Sequence, residues 1–120
     1  MVENKLVAFE RFFFVGSGAV PGALIRWLLN NDLAVNLLGT LVFGIVMGLR
    51  VRFRFQLIFC IGFCGACTTF SGWVMETVEL VNDGMWLQGI SLIMITIIFG
   101  IIALFAGFFI GRRIKESISP

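Results

Sequence analysis

The stretch Gly62-Phe63-Cys64-Gly65-Ala66-Cys67-Thr68-Thr69-Phe70-Ser71-Gly72 sits at the middle of an apolar run from Phe55 to Val81. As one helix, those 27 positions would make a rod of about 40 Å, against roughly 30 Å of bilayer hydrocarbon. Such a rod must tilt, protrude or break. Three glycines and three hydroxyl residues at its centre weaken it there, and two readings stand. The glycines either permit close helix packing, or mark irregular backbone that is tolerated at membrane depth only if it is buried, lines a cavity or binds an ion.

Outward from this centre the rest of the chain is also written for lipid. Three further apolar runs cover about Phe12–Leu29, Leu33–Leu49 and Met85–Ile110, each near the length of about 20 residues that a spanning helix needs. With 59% apolar and 13% charged residues in 120 positions, a soluble domain is excluded, and the fold expected is a single all-α membrane domain of four spans. The leader mixes Glu3 and Glu10 with Lys5 and Arg11, a poor match to a signal peptide. Basic residues precede the first span (Lys5, Arg11), fill the second connection (Arg50, Arg52, Arg54) and follow the fourth span (Arg112, Arg113, Lys115). Four crossings put all three groups on one side, so the positive-inside rule predicts an inner (plasma) membrane protein with both termini cytoplasmic. The net charge of +2 gives no indication of a nucleic-acid partner.

Cys60, Cys64 and Cys67 follow one helical stripe and are read as small packing residues. Gly18/Gly22, Gly44/Gly48 and Gly107/Gly111 each have Gly-x-x-x-Gly spacing, the pattern of close helix contacts, and Pro21 is a candidate kink. Among polar groups at membrane depth, Asn36 must pair or meet a ligand, and Arg26 must face water or a partner. Glu76 faces either a vestibule or a neighbouring helix.

Three strings together resemble the small fluoride channels called Fluc or CrcB: Gly22-Ala-Leu-Ile-Arg26-Trp27, Asn36-Leu-Leu-Gly39, and Gly62-Phe-x-Gly65-x-x-Thr68-Thr69-Phe70-Ser71 followed by Glu76. The resemblance covers nearly the whole chain. It implies an inverted dimer, a third helix broken at its centre, and two fluoride pathways along the interface. It also implies a structural sodium ion held by backbone carbonyls, here those of Gly65 and Thr68, with equivalents from the second subunit. By the same resemblance Phe70 belongs to the aromatic lining and Arg26 to a vestibule. Physical chemistry suits such a path, since fluoride must exchange its water for uncharged donors. Asn36 offers an amide, Thr69, Ser71 and Thr96 offer hydroxyls, and Phe70 and Trp73 offer positive ring edges.

The string departs from the family's usual Thr-Thr-Phe-Ser-Thr-Phe in having Gly72 and Trp73. Asp32 stands where an uncharged residue is usual, and Gly100 and Leu104 where later hydroxyls are expected. These departures raise the expectation of one degraded pathway. A homodimer of inverted copies needs nearly balanced lysine and arginine on the two sides, and this chain is not balanced, which points to a heterodimer with an oppositely oriented homologue. Homodimer and heterodimer both stay open. The rival functions are a small multidrug-resistance-type exporter, which would need an acidic residue inside the first span, and a non-conducting membrane assembly subunit. No enzyme is expected, because no nucleophile and base come together.

Overall fold

A computed structural model describes residues 2–118 and contains four helical spans long and apolar enough to cross a bilayer, Val2–Leu29, Asp32–Leu49, Phe53–Asn82 and Trp86–Ile118. No strand occurs among the described residues. The first two spans are α1 (Val2–Leu29) and α2 (Asp32–Leu49). The third comprises α3 (Phe53–Gln56), a π-helical segment (Leu57–Cys64), α4 (Gly65–Cys67) and, after an interruption, α5 (Ser71–Asn82). The fourth is α6 (Trp86–Ile118).

The helices outrun their apolar stretches. α1 begins ten residues before Phe12, through Glu3, Lys5, Glu10 and Arg11, and α6 continues past Ile110 to Ile118. Hydropathy sets the depth at which a helix sits, while backbone hydrogen bonding sets where it ends, so polar turns extend both helices beyond the lipid. An exposed Arg112–Glu116 pair at 3.4 Å lies on the last turns of α6. α1 runs through Pro21 as one helix.

Between the first two spans, Asn30 takes a left-handed φ of 46° and its N–H donates to the Arg26 carbonyl at 3.1 Å. The Asn31 side chain then caps α2 by accepting from the Ala34 N–H at 3.0 Å. Asparagine suits both positions, tolerating left-handed backbone and capping an N-terminus, so two residues suffice for the reversal.

Small residues set the packing. α6 lies along α2, and the two glycine pairs interlock. A Cβ added at Gly44 or Gly48 would run into the carbonyls of Leu104 or Phe108, and one at Gly107 or Gly111 into those of Leu41 or Ile45. α1 meets the π segment in the same manner, Gly18 against the Ile58 carbonyl, Gly22 against that of Phe63, and Gly62 against that of Val15. In lipid, where burying apolar surface drives little, this backbone approach is the main source of helix association. The three cysteines are buried within this packing, and the Cys67 thiol lies 3.8 Å from the Val35 carbonyl oxygen.

The third span is interrupted, at a narrower place than its glycines suggest. Gly62 stays within the π segment and Gly65 within α4, and regular helix is lost only over residues 68–70. Thr68 adopts extended backbone at φ −81° and ψ 153°, and Phe70 re-enters helical geometry at φ −86° and ψ −46°.

The spans also gather most of their positive charge at one end. Arg11, Arg52 and Arg54 line one pocket there, and Arg50, Arg112 and Lys115 another.

Candidate functional site

The interruption is built from side chains that take over backbone hydrogen bonding. The Thr68 N–H and hydroxyl both donate to the Cys64 carbonyl, at 3.0 and 2.8 Å, which closes the first half of the span. The next residue turns away. The Thr69 N–H donates to Asn36 Oδ1 at 2.7 Å, and Asn36 Nδ2 donates back to the Thr69 carbonyl at 3.0 Å. One amide thus supplies the donor and acceptor that a neighbouring strand would give, and satisfies two half-buried backbone groups. The Thr69 hydroxyl oxygen then accepts from the Gly72 N–H at 3.2 Å, in the manner of a cap on α5.

Two shallow clefts flank the interruption. The first, of about 280 Å³, is lined by Asn36, Thr69, Phe70, Trp73 and Thr96 together with Leu33, Leu37, Thr40, Thr68 and Gly100. No charged side chain lines it among the described residues. Phe70 and Trp73 meet edge to face, with ring centroids 5.1 Å apart and planes at 82°. The second, of about 390 Å³, contains Gly39, Thr40, Phe43, Cys60, Cys64, Gly65, Thr68 and Leu104.

Donor capacity differs among the lining groups. Asn36 Nδ2 carries two hydrogens and uses one on Thr69, leaving one for a ligand. The Thr69 hydroxyl is engaged as an acceptor, so its own proton stays available. The Thr40 and Thr96 hydroxyls donate to the Asn36 and Leu92 carbonyls, at 2.6 and 2.7 Å, and present lone pairs to the cleft in that state. Ser71 begins α5, is exposed, and is not among the lining residues. Arg26 lies in the last turn of α1, exposed, and lines neither cleft.

At the interruption the carbonyls of Gly65 and Thr68 receive no backbone N–H among the described residues, because the Thr69 N–H goes to Asn36 and the Gly72 N–H to the Thr69 hydroxyl. Gly65 is exposed and a Cβ there would meet nothing within 4 Å. Unpaired carbonyl oxygens beside open space fit a hard cation such as sodium. Two carbonyls are too few to enclose one, so such a site needs further oxygens from outside this chain.

Sequence reasoning missed Thr40 and Phe43. Thr40 stands one helical turn after Asn36 on α2, so i, i+4 spacing from an already suspected residue would have found it. Phe43 is half-exposed beside the interruption and carries no such signal.

Comparison with known proteins adds a family. Residues 13–108 match the family described as CrcB-like protein, Camphor Resistance (CrcB). The chain is 43% identical over 108 residues to "Fluoride-specific ion channel FluC 2" of Prochlorococcus marinus (strain MIT 9313), covering 90% of this chain and 87% of the relative. It is 38% identical over 110 residues to "Fluoride-specific ion channel FluC 1" of a second Prochlorococcus marinus strain, covering 92% and 89%. To "Fluoride-specific ion channel FluC" of Haemophilus influenzae (strain PittEE) it is 35% identical over 112 residues, covering 79% and 87%.

Proposed function

The chain belongs to the CrcB-like protein family, and from that premise we propose that it is a subunit of a fluoride-specific channel that lets fluoride leave the cell and so lowers its toxicity. It is not an enzyme. The observation that carries the reading is the uncharged cleft at the interruption of the third span, where Asn36, Thr69, Phe70 and Trp73 converge.

Fluoride is small and strongly hydrated, so a path must replace its water without trapping it, and fixed cations would hold it too tightly. The spare Asn36 amide hydrogen, the Thr69 hydroxyl, the Trp73 indole N–H and the ring edges of Phe70 and Trp73 are neutral groups with positive ends. The Thr96 hydroxyl joins them once it releases the Leu92 carbonyl. Ser71 is the remaining hydroxyl of the path and Arg26 belongs to its vestibule, both roles resting on the family resemblance. Because the cleft is open, a second subunit must close it. An inverted partner would do so and would add its own carbonyls to those of Gly65 and Thr68 around a sodium ion that is structural and not itself transported. When bound, that ion neutralises the converging carbonyl dipoles and ties the two interruptions together.

The clustering of arginines and lysines at one end favours a single orientation, with both termini cytoplasmic in the inner (plasma) membrane, and a heterodimer with an oppositely oriented homologue. A proton-coupled drug exporter is disfavoured because the first span carries no carboxylate between Arg11 and its end at Leu29.

Fluoride efflux from liposomes tests the proposal, with the subunit alone or with a co-expressed homologue, in sodium and in a sodium-free salt. Flux that is fluoride-selective, needs the homologue and fails without sodium is the expected result. Robust flux from the subunit alone would remove the heterodimer, and chloride passing as readily as fluoride would remove the function.

A further inference from the structure

Where α1 leaves the apolar region, its side chains cross with those entering α3. The Arg11 guanidinium lies over the Phe53 ring at 5.3 Å, and the Arg54 guanidinium over the Phe14 ring at 5.8 Å. Each cation is therefore held on the other helix's ring, and the two contacts clamp α1 to α3 reciprocally. A guanidinium drawn to a ring instead of a carboxylate keeps its N–H groups for an anion. Arg52 completes the group, and together they line a pocket of about 260 Å³ in which Glu10 is the one carboxylate. None of these charges is paired, since the ion pair found among the described residues joins Arg112 to Glu116. Three guanidiniums against one carboxylate leave an excess of positive charge in a pocket floored by Leu57, Phe14 and Val7.

The pocket's depth narrows its ligand. Arg11 immediately precedes the apolar run from Phe12, and Arg54 immediately precedes the run from Phe55, so the guanidiniums stand where hydrocarbon gives way to headgroups. Val7 and Phe53, both in the wall of the pocket, are exposed and apolar. We propose that this pocket binds the phosphate of an anionic phospholipid, with Arg11, Arg52 and Arg54 as its ligands and the acyl chains lying over Val7 and Phe53. A free phosphate would leave that apolar surface without a role, and a zwitterionic headgroup would bring its own ammonium into an already cationic pocket. The site shares no lining residue with the two clefts at the interruption, so it stands apart from the ion that passes. Leu57, buried at the start of the π segment, lies in its floor, so the bound headgroup would brace the span that leads to the interruption.

Native mass spectrometry of the full chain, purified in detergent and equilibrated with dioleoyl phosphatidylglycerol or phosphatidylcholine, reads this directly. Preferential retention of phosphatidylglycerol is expected, weakened about fivefold for each arginine removed. Arg52→Gln is the decisive variant, because Arg52 makes neither cation–ring contact and its loss leaves the clamp intact. Arg113→Gln, on the far tail of α6, should retain the lipid as the parent does. Equal retention of the two lipids, or unchanged retention in Arg52→Gln, would overturn the site. Displacement of phosphatidylglycerol by millimolar inorganic phosphate would overturn the lipid and leave a simple anion site.

Discussion

Asn36 and Thr69 are paired through two hydrogen bonds, the side-chain amide of one against the backbone N–H and carbonyl of the other, at 2.7 and 3.0 Å. This pairing both permits the interruption and orients the spare amide hydrogen into the cleft. Asn36→Asp keeps an acceptor for the Thr69 N–H but faces its carbonyl with a second acceptor, and adds negative charge to the proposed anion path. Fluoride efflux from liposomes should fall at least tenfold. Asn36→Leu strands both backbone groups, at a cost of about 1–3 kcal/mol each, readable as a lowered melting temperature in detergent. Undiminished flux in Asn36→Asp would detach this residue from conduction.

Asp32 stands one turn before Asn36 on α2 and reaches the same span, its carboxylate lying against Gly72 so that a side chain there would have to push it aside. The two departures from the family string, an acid at 32 and a glycine at 72, are thus one contact, and the carboxylate fills the volume a side chain at 72 would take. Because that carboxylate is the free end of a side chain, Gly72→Thr alone should destabilise the subunit only modestly, and Gly72→Thr with Asp32→Ser should recover the loss. Melting temperatures of the two single variants and the double variant form the cycle, and a coupling below about 0.5 kcal/mol would mean the sites are independent.

Much of this was legible in the chain because lipid makes composition directly informative. Four apolar runs became four spans, and Gly-x-x-x-Gly spacings became the α2–α6 and α1–π contacts, since both signals are local. The interruption was legible in kind and within a few residues in place, although the glycines that marked it are not where the helix is lost. Gly62 and Gly65 suggested it, yet both remain helical, because the break depends on Asn36 capturing the Thr69 N–H from 33 positions away. The π segment was invisible for a similar reason, since nothing within Leu57–Cys64 marks a shifted hydrogen-bond register. Thr40 was missed although its spacing from Asn36 announced it. Asp32 and Gly72 were each noticed, but only the fold joins them.

The reciprocal glycine contacts between α2 and α6 predict a sharp contrast among glycine substitutions. Gly44→Ala and Gly107→Ala place a methyl against backbone carbonyls that cannot swing aside, so the helices must separate, at about 1–3 kcal/mol. Gly16→Ala meets nothing within 4 Å, and should be neutral or stabilising by up to about 1 kcal/mol through helix propensity. Thermal unfolding in detergent, followed by circular dichroism, should place Gly16→Ala at or above the parent and the other two below it. Equal melting temperatures would show that α2 and α6 do not associate through these residues.

Phe70 and Trp73 divide the aromatic lining unequally, and their edge-to-face contact makes the roles separable. Phe70 is largely exposed at the N-terminus of α5, while Trp73, half-buried, supports it at 82°. If the ring edge of Phe70 solvates the anion, Phe70→Ile keeps an apolar side chain but removes the quadrupole, and fluoride flux should fall tenfold or more with little change in melting temperature. Trp73→Phe keeps an edge, loses the indole N–H and frees space, so flux should persist at a similar or higher rate. Should Trp73→Phe abolish flux while Phe70→Ile spares it, the indole N–H of residue 73 would be the donor and residue 70 would have no ring-edge role. Efflux traces recorded side by side for the two variants, at matched protein density, distinguish these outcomes.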